Sequence, residues 1–328
     1  MMRYFVTGGT GFIGGHVVRQ LRAAGHDVIA LVRDVRNAPA LLASGAKLHQ
    51  GDVTDRESMR AGMQGVDGVF HLAGWYKIGL RDKSPGRRIN VDGTRNVLEL
   101  MRELNIPKGV YTSTIAINSD TQGKVVDESY VFTGKHVSEY DATKAEAHHI
   151  AQQMIADGLP LVILMPGVVY GPGDTSSIHD TLADYLKRRL PMVPQKTAYC
   201  LAYIEDVARA HLLAMEKGTP GESYIIAGPV HTLIDALDLA ERITGVAAPK
   251  LHPSPGMVKA MAGIMGVIER VIPVPENYSS EYLRVAAGVT YLGDNRKARR
   301  ELGYDPRPLD VGLPPTLSWE QGQLSKNR

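Results

Sequence analysis

Two rhythms of apolar and polar positions run through the first half of the chain. Short apolar runs predict strands at Tyr4-Phe5-Val6, Val28-Ile29-Ala30-Leu31-Val32, Gly68-Val69-Phe70-His71-Leu72, Gly109-Val110-Tyr111-Thr112-Ser113-Thr114 and Leu161-Val162-Ile163-Leu164-Met165, with Lys47-Leu48-His49-Gln50 as a further candidate. Between them, apolar positions recur at helical spacing. Phe12, Ile13, Val17, Val18 and Leu21 share one face. Further helices are predicted from about 87 to 104, stopped by Pro107, and from about 138 to 157, ended by Gly158. This alternation predicts an α/β fold, a doubly wound parallel sheet with helices on both faces. Beyond Pro166 the rhythm breaks. Gly171-Pro172-Gly173-Asp174 reads as a loop. It precedes a helix at about 178–189, a short β segment around 199–203, a helix at 204–215 and one more sheet strand at 222–227. The remainder reads as mostly helical, with proline-rich breaks at 253–255 and 273–275. The predicted division is a larger domain of 1–171 plus about 203–229 and a smaller, mostly helical C-terminal lobe of about 172–202 plus 230–328.

Composition changes this picture little. The 328 residues are 44% apolar and 22% charged, ordinary for a soluble globular protein. A net charge of +2 gives no reason to expect a nucleic-acid partner. The single cysteine, Cys200, allows no intrachain disulfide, and no metal site is expected. The first residues enter a strand directly, without a signal-peptide pattern, which predicts a cytoplasmic protein. The segment from Met257 to Val274 is apolar but contains Lys259, Glu269, Arg270 and Pro273. It is too short and too charged to span a bilayer, so it is expected to be a helix over a pocket or core, and no membrane partner is expected.

The candidate chemistry starts in the first turn. Glycines at Gly8, Gly11 and Gly14 fall between a predicted strand and a predicted helix. That context points to a dinucleotide-binding loop: one glycine for the turn, one for backbone approach to a pyrophosphate, one for helix packing. The free N–H groups of the following helix would face the phosphates. The second strand ends in Val32 and Arg33, with Asp34 and Arg36 behind. An acid there would bond ribose hydroxyls; a guanidinium instead matches a phosphate. The strand end therefore favours NADP, while Asp34 leaves NAD open. Tyr140 and Lys144 stand four apart on a predicted helix and so share a face. A nearby ammonium is expected to lower the phenol pKa and make Tyr140 a usable acid or base. Thr112-Ser113-Thr114 supplies hydroxyls shortly before this pair.

These motifs resemble those of the extended short-chain dehydrogenases/reductases, of the NAD-dependent epimerase/dehydratase superfamily. The matching stretches are Thr7 to Gly14, Gly51-Asp52, His71-Leu72-Ala73-Gly74, Asn90 to Asn96, Tyr111 to Thr114, Tyr140 with Lys144, Gly171-Pro172-Gly173, and Asp294 to Ala298 with Glu301-Leu302-Gly303-Tyr304. The resemblance implies a Rossmann NAD(P)-binding domain and a substrate-binding lobe. It implies that Tyr140 exchanges the proton with the substrate oxygen. Lys144 would hold the nicotinamide ribose and lower the tyrosine pKa. Thr114, with Ser113 as fallback, would bond the substrate oxygen. Gly8, Gly11, Phe12, Ile13 and Gly14 would form the cofactor loop; Asp52 and Val53 would border the adenine. Ala73 and Gly74 would line the cofactor cleft, and Pro166 and Val169 the nicotinamide. His71 would be a packed strand-end residue. Many nucleotide-sugar members carry Arg and Asn where this chain has Met165 and Val168. The pattern here is similar instead to dihydroflavonol-reductase and 3β-hydroxysteroid-dehydrogenase branches. The expected function is thus hydride transfer between a nicotinamide and a carbonyl or secondary alcohol of a small, partly apolar substrate. The alternatives are a nucleotide-sugar epimerase or dehydratase with tightly held NAD, and a non-catalytic NADP-binding regulator. The resemblance also implies a homodimer paired through the helices near 88–104 and 138–157, although the same apolar faces would serve a monomer's core.

Overall fold

Successive residues of the first strand, β1 (Arg3–Thr7), face opposite ways: Tyr4 and Val6 pack to one side and Phe5 to the other. In β6 (Leu161–Pro166), Val162 and Leu164 likewise face one side, Ile163 and Met165 the other. Strands apolar on both faces need covering on both. The computed structural model describes residues 1–80, 82–272, 274 and 279–326, and in it helices cover each face. On one side β1 pairs in parallel with β2 (Asp27–Val32), and β2 with β3 (Lys47–Gln50). On the other it pairs with β4 (Gly68–His71), followed by β5 (Gly109–Thr112), β6 and β9 (Ser223–Ile226), again all parallel. The strand order β3-β2-β1-β4-β5-β6-β9 reverses direction between β1 and β4. This is the predicted doubly wound sheet, and its carboxyl edge at the reversal is where such sheets bind ligands.

Two cores flank the sheet. On the Phe5 side lie α3 (Arg56–Met63), α5 (Gly93–Glu103) and α6 (Glu139–Ala156), contributing Met59, Leu98, Met101, Ile150 and Met154. On the Val6 side lie α1 (Phe12–Ala23), α2 (Pro39–Ala43), α8 (Ile204–Lys217) and α12 (Arg296–Leu302), contributing Val17, Leu21, Leu41, Val207 and Leu302. A third core joins α7 (Ser177–Leu186), α9 (Leu233–Thr244) and α13 (Leu309–Lys326) through Leu182, Leu237 and Leu313.

Three features depart from the periodicity. The predicted helix from about 87 begins earlier, as a single turn α4 (Ser84–Gly86). It then widens into a π-helical turn over Arg87–Asp92 before α5. A second sheet forms from β8 (Ala198–Tyr203), β10 (Val230–Thr232) and β11 (Thr290–Tyr291), with β7 (Val168–Tyr170) on β8. Of these only β8 was legible, because the pairings Val230↔Cys200 and Thr290↔Ala198 join segments far apart in sequence. Finally, α10 (Pro255–Ile268) covers no large core: Val258 and Ala262 pack on Leu283 and Ala287 of α11 (Ser280–Ala286) and its margin, and the other side is exposed. Pro273 and Pro275 of the second proline-rich break lie outside the described residues. Among the described residues no helix is long and apolar enough to cross a membrane.

Three buried histidines meet hydroxyls along the sheet. His71 sits between the hydroxyls of Thr7 at 2.8 Å and Thr94 at 3.0 Å. His211 donates through Nδ1 to the Val207 carbonyl at 2.8 Å and accepts from Thr112 at 2.9 Å. His148 Nδ1 lies 2.9 Å from the Ser113 hydroxyl. Burial pushes His71 down to about 3, and His148 and His211 to about 4, from the ordinary 6.5. The unfolded chain binds these protons first, so the stability they confer is present above about pH 6.5 and is lost as the pH falls through the folded values. Burial raises Asp141 to about 7, which acts oppositely: its contribution is full below its ordinary 3.8 and is lost as the pH rises through 7. His16, also pushed down to about 4 by burial, and His136 add to the three rings, while Asp174 and Glu320, both raised by burial, side with Asp141; the histidines, more numerous and several of them strongly shifted, should win. Thermal melts are expected to show Tm falling steadily from about pH 6.5 to about pH 4; a Tm that stayed level or rose would contradict this account of the buried rings.

Candidate active site

The turn after β1 is held by close backbone contact. Gly8 has φ +72°, and a Cβ there would meet Ala73 N at 2.6 Å and Leu72 C at 2.7 Å, at the end of β4. The Thr7 hydroxyl accepts from Ala73 N at 3.1 Å, fastening the two strand ends. A Cβ on Gly14 would stand 2.1 Å from the Gly8 carbonyl oxygen, so glycine is what lets α1 start against the turn. Gly11 differs: it is exposed, and its Cβ would meet only that same oxygen, at 3.2 Å. Gly11 is the N-cap of α1 and no side chain caps the helix. The first N–H groups, those of Phe12 and Ile13 among them, therefore point out of an uncapped helix start toward the open side of Gly11.

The other predicted cofactor residues lie at the same carboxyl edge. Arg33 follows β2, is exposed, and its guanidinium has no partner among the described residues. Asp34 is committed elsewhere: its carboxylate accepts from Arg36 at 2.8 Å and from Asn37 at 3.3 Å. Asp52, after β3, accepts from the backbone and hydroxyl of Thr54, each at 2.9 Å. Val53 is buried against α5, its carbonyl accepting from Asn96 at 2.9 Å. Ala73 and Gly74 follow β4; Pro166 closes β6; Val169 lies in β7 and packs between two cores.

The reactive candidates come from β5 and α6. Ser138 caps α6, accepting from Asp141 N at 3.1 Å. One face of the helix then presents Tyr140, Lys144 and His148, four residues apart, to the end of β5. Lys144 is 4% exposed; its ammonium donates to the Thr112 carbonyl at 2.8 Å and to the Tyr111 hydroxyl at 3.2 Å. It also lies 4.8 Å from the centre of the Tyr111 ring. Burial pushes Lys144 down to about 7. The expected lowering of the Tyr140 phenol is not found. Burial pushes it up to about 12; the neighbouring Thr114 side chain acts in the opposite sense, and the Asp141 carboxyl adds to the rise. The reason is geometric: the ammonium is spent on Thr112 and Tyr111.

The hydroxyls of β5 divide. Thr112 bonds His211 of α8 behind the sheet, and Ser113 bonds His148. The Thr114 hydroxyl caps the next turn, accepting from Ala116 N at 3.2 Å, and stands beside Tyr140. His71 is a packed strand-end residue, stacked on Tyr111 at 5.4 Å. Residues given no role from sequence complete the site. Asn90, in the π-helical turn, is buried. Its amide oxygen accepts from Trp75 N at 2.7 Å, while its nitrogen donates to Trp75 O at 2.9 Å and to Thr143 at 3.0 Å. It pins the chain after β4 to α6. Asp141 accepts from the Ser138 hydroxyl at 2.7 Å and from Tyr291 of β11 at 3.0 Å, tying α6 to the second sheet. His148 could have been found from its spacing, one turn beyond Lys144 on the face of Tyr140.

A glycine cradle at a sheet reversal beside a Tyr–Lys helix face is a geometry that many proteins share. The model of the NAD dependent epimerase/dehydratase family matches residues 4–227. The chain belongs to this family. It is 31% identical to the Sterol demethylase protein B of Methylococcus capsulatus, over 98% of this chain and 100% of that protein. It is 32% identical to the 4-hydroxy-2-methyl-3-oxo-4-farnesyl-3,4-dihydroquinoline-1-oxide ketoreductase of Stigmatella aurantiaca, over 93% of this chain and 92% of that one. Among solved structures, gox2253 superposes with a TM-score of 0.85 at 27% identity, covering 98% of this chain and 99% of its own. Family members are oxidoreductases and epimerases of Rossmann fold, which is the fold of this chain.

The glycine geometry makes a paired prediction. Gly14→Ala forces a methyl into the Gly8 carbonyl and should cost about 1–3 kcal/mol or more, as overpacking does. Gly11→Ala should leave stability within about 1 kcal/mol, since its site is open and its φ of −82° is ordinary. Denaturant titration of both variants checks this; equal losses would mean that the turn is not closed by Gly14.

Proposed function

We propose that the chain is an NADP-preferring oxidoreductase that interconverts a carbonyl and a secondary alcohol on a small, partly apolar substrate. The observation that carries this reading is the single face of α6 on which Tyr140 stands beside Thr114 while Lys144 and His148 engage the residues just before it. The cofactor fits the chain: the open side of Gly11 at an uncapped helix start suits a pyrophosphate, and the unpartnered Arg33 guanidinium suits a 2′-phosphate. Gly8, Gly11, Phe12, Ile13 and Gly14 would hold the phosphates, Asp52 and Val53 the adenine, and Ala73, Gly74, Pro166 and Val169 the rest. When bound, the nicotinamide supplies or accepts the hydride at the substrate carbon.

The chain's own residues handle the proton. Thr114 offers its hydroxyl to the substrate oxygen and stabilises charge there. Tyr140, protonated near neutral pH, donates its proton to that oxygen when the carbonyl is reduced and takes one back when the alcohol is oxidised. Lys144, pushed down to about 7, is the group on the same face able to gain or lose a proton near neutrality. His148 occupies Ser113 and so leaves Thr114 as the reacting hydroxyl. Residues 1–171 with about 203–229 would serve the cofactor, and the remaining lobe the substrate. Val168, half-buried against apolar neighbours, cannot hydrogen-bond a nucleotide sugar through its side chain. Relatives named for a sterol and for a farnesyl-bearing ketone support an apolar substrate.

Tyr140→Phe keeps the ring and removes one oxygen. Turnover with a reactive ketone and NADPH should fall roughly 10²-fold or more, with cofactor affinity retained. Thr114→Ala should reduce turnover, while Ser113→Ala should act more mildly and mainly on stability, by freeing His148. A Tyr140→Phe enzyme with most of its activity would remove the proposal, and turnover without net consumption of cofactor would identify an epimerase instead. For cofactor choice, Arg33→Ala should weaken NADPH selectively, by about 1–2 kcal/mol for one charge-assisted bond. Fluorescence titration reads this directly, and equal affinity of the unaltered protein for NADH and NADPH would count against Arg33.

A further inference from the structure

The hairpin of α10 and α11 carries a surface that the catalytic reading does not use. The inner side of α10 packs on α11, but the outer side is apolar as well: Met257 is 58% exposed, Ile264 62% and Val267 63%. The chain continues with Val271 at 82% and Ile272 at 57%. Met257, Ile264 and Val267 stand at helical spacing within α10 and form one stripe, and Val271 and Ile272 follow directly in the turn after it. A continuous apolar stripe facing water marks a surface that another body covers.

The charges indicate which body. Residues 248–272 contain three strong bases, Lys250, Lys259 and Arg270, and a single acid, Glu269. Glu269 is engaged with α11, its carboxylate accepting from the backbone N–H of Ser280 at 2.9 Å and from its hydroxyl at 2.6 Å. Lys259, on the flank of α10, and Arg270, in the turn just past its end, are both exposed. A second copy of the chain across a two-fold axis would set like charges against each other. An anionic bilayer surface matches both features, with apolar side chains at the acyl boundary and cations among the phosphates.

We infer that α10 seats this lobe on the surface of an anionic membrane. The helix lies in the interface and does not cross it, in keeping with the absence of a spanning helix among the described residues. The bonds from Ser280 to Glu269 hold α10 on α11 and turn the one acid of the segment away from the headgroups. This revises the expectation of no membrane partner, which considered spanning alone. It is independent of the catalytic reading, because no proposed site residue lies in α10.

Flotation of the full chain with vesicles tests it. The protein should float with mixed phosphatidylcholine–phosphatidylglycerol vesicles, much less with phosphatidylcholine alone, and less as salt is raised. The double variant Ile264→Asp with Val267→Asp alters exposed positions, so its melting should be unchanged while its partitioning falls at least about tenfold. Lys259→Gln and Arg270→Gln, milder changes that leave the stripe intact, should each weaken partitioning roughly fivefold. No flotation of the unaltered protein, or equal flotation of all variants, would overturn the inference. So would a dimer in solution that Ile264→Asp dissociates, since a second copy would then cover the stripe.

Discussion

The site depends on burying one ammonium. Taking a lysine out of water costs several kcal/mol unless its protons find acceptors. Lys144 finds the Thr112 carbonyl, the Tyr111 hydroxyl and the face of the Tyr111 ring, all on β5. That requirement sets α6 across the end of β5 at one height and one rotation. Tyr140 and His148, one turn to either side, are then placed without further choice. Burial draws Lys144 down to about 7; its neighbours His71 and His148 are kept neutral by burial of their own rings and, second, by the nearby ammonium.

Satisfying buried polar groups accounts for much of what surrounds it. A parallel sheet wound on both faces leaves its strand ends dry, and each hydroxyl there has a partner: Thr7 with His71, Thr112 with His211, Ser113 with His148. Neutral rings meet these hydroxyls without bringing a charge into the core. Asn90 does the same for the chain after β4, reaching both Trp75 and α6 from a π-helical turn that an ordinary helix would have rotated away.

The second sheet and its helices are fastened to this centre through α6 as well. Tyr291 reaches Asp141, and Glu281 of α11 accepts from Glu139 N at 2.7 Å while pairing with Lys83 at 2.9 Å. The start of the helix that carries Tyr140 is thus capped partly by α11. Through these contacts β11 and α11 share in fixing α6, the helix that carries the phenol.

Local pattern determined the main sheet and the helices on both its faces, because each strand is apolar on two sides and each helix on one. It determined the glycine turn too, where packing against Ala73 and the Gly8 carbonyl leaves no room for a side chain. It placed Tyr140, Lys144 and Thr114 at one strand edge. Tertiary structure decided what those groups do electrostatically. Lys144 was expected to lower the phenol; the fold gives its ammonium to β5, and burial raises the phenol instead. Spacing along a helix fixes which side chains share a face, but not which acceptors meet them. Most of the second sheet was hidden too, since β10 and β11 are only three and two residues long and reach β8 from distant segments. The outward face of α10 was hidden for the same reason: an apolar run looks alike whether it covers a core or waits on a surface, and only the packing of Val258 and Ala262 on α11 shows which side turns in.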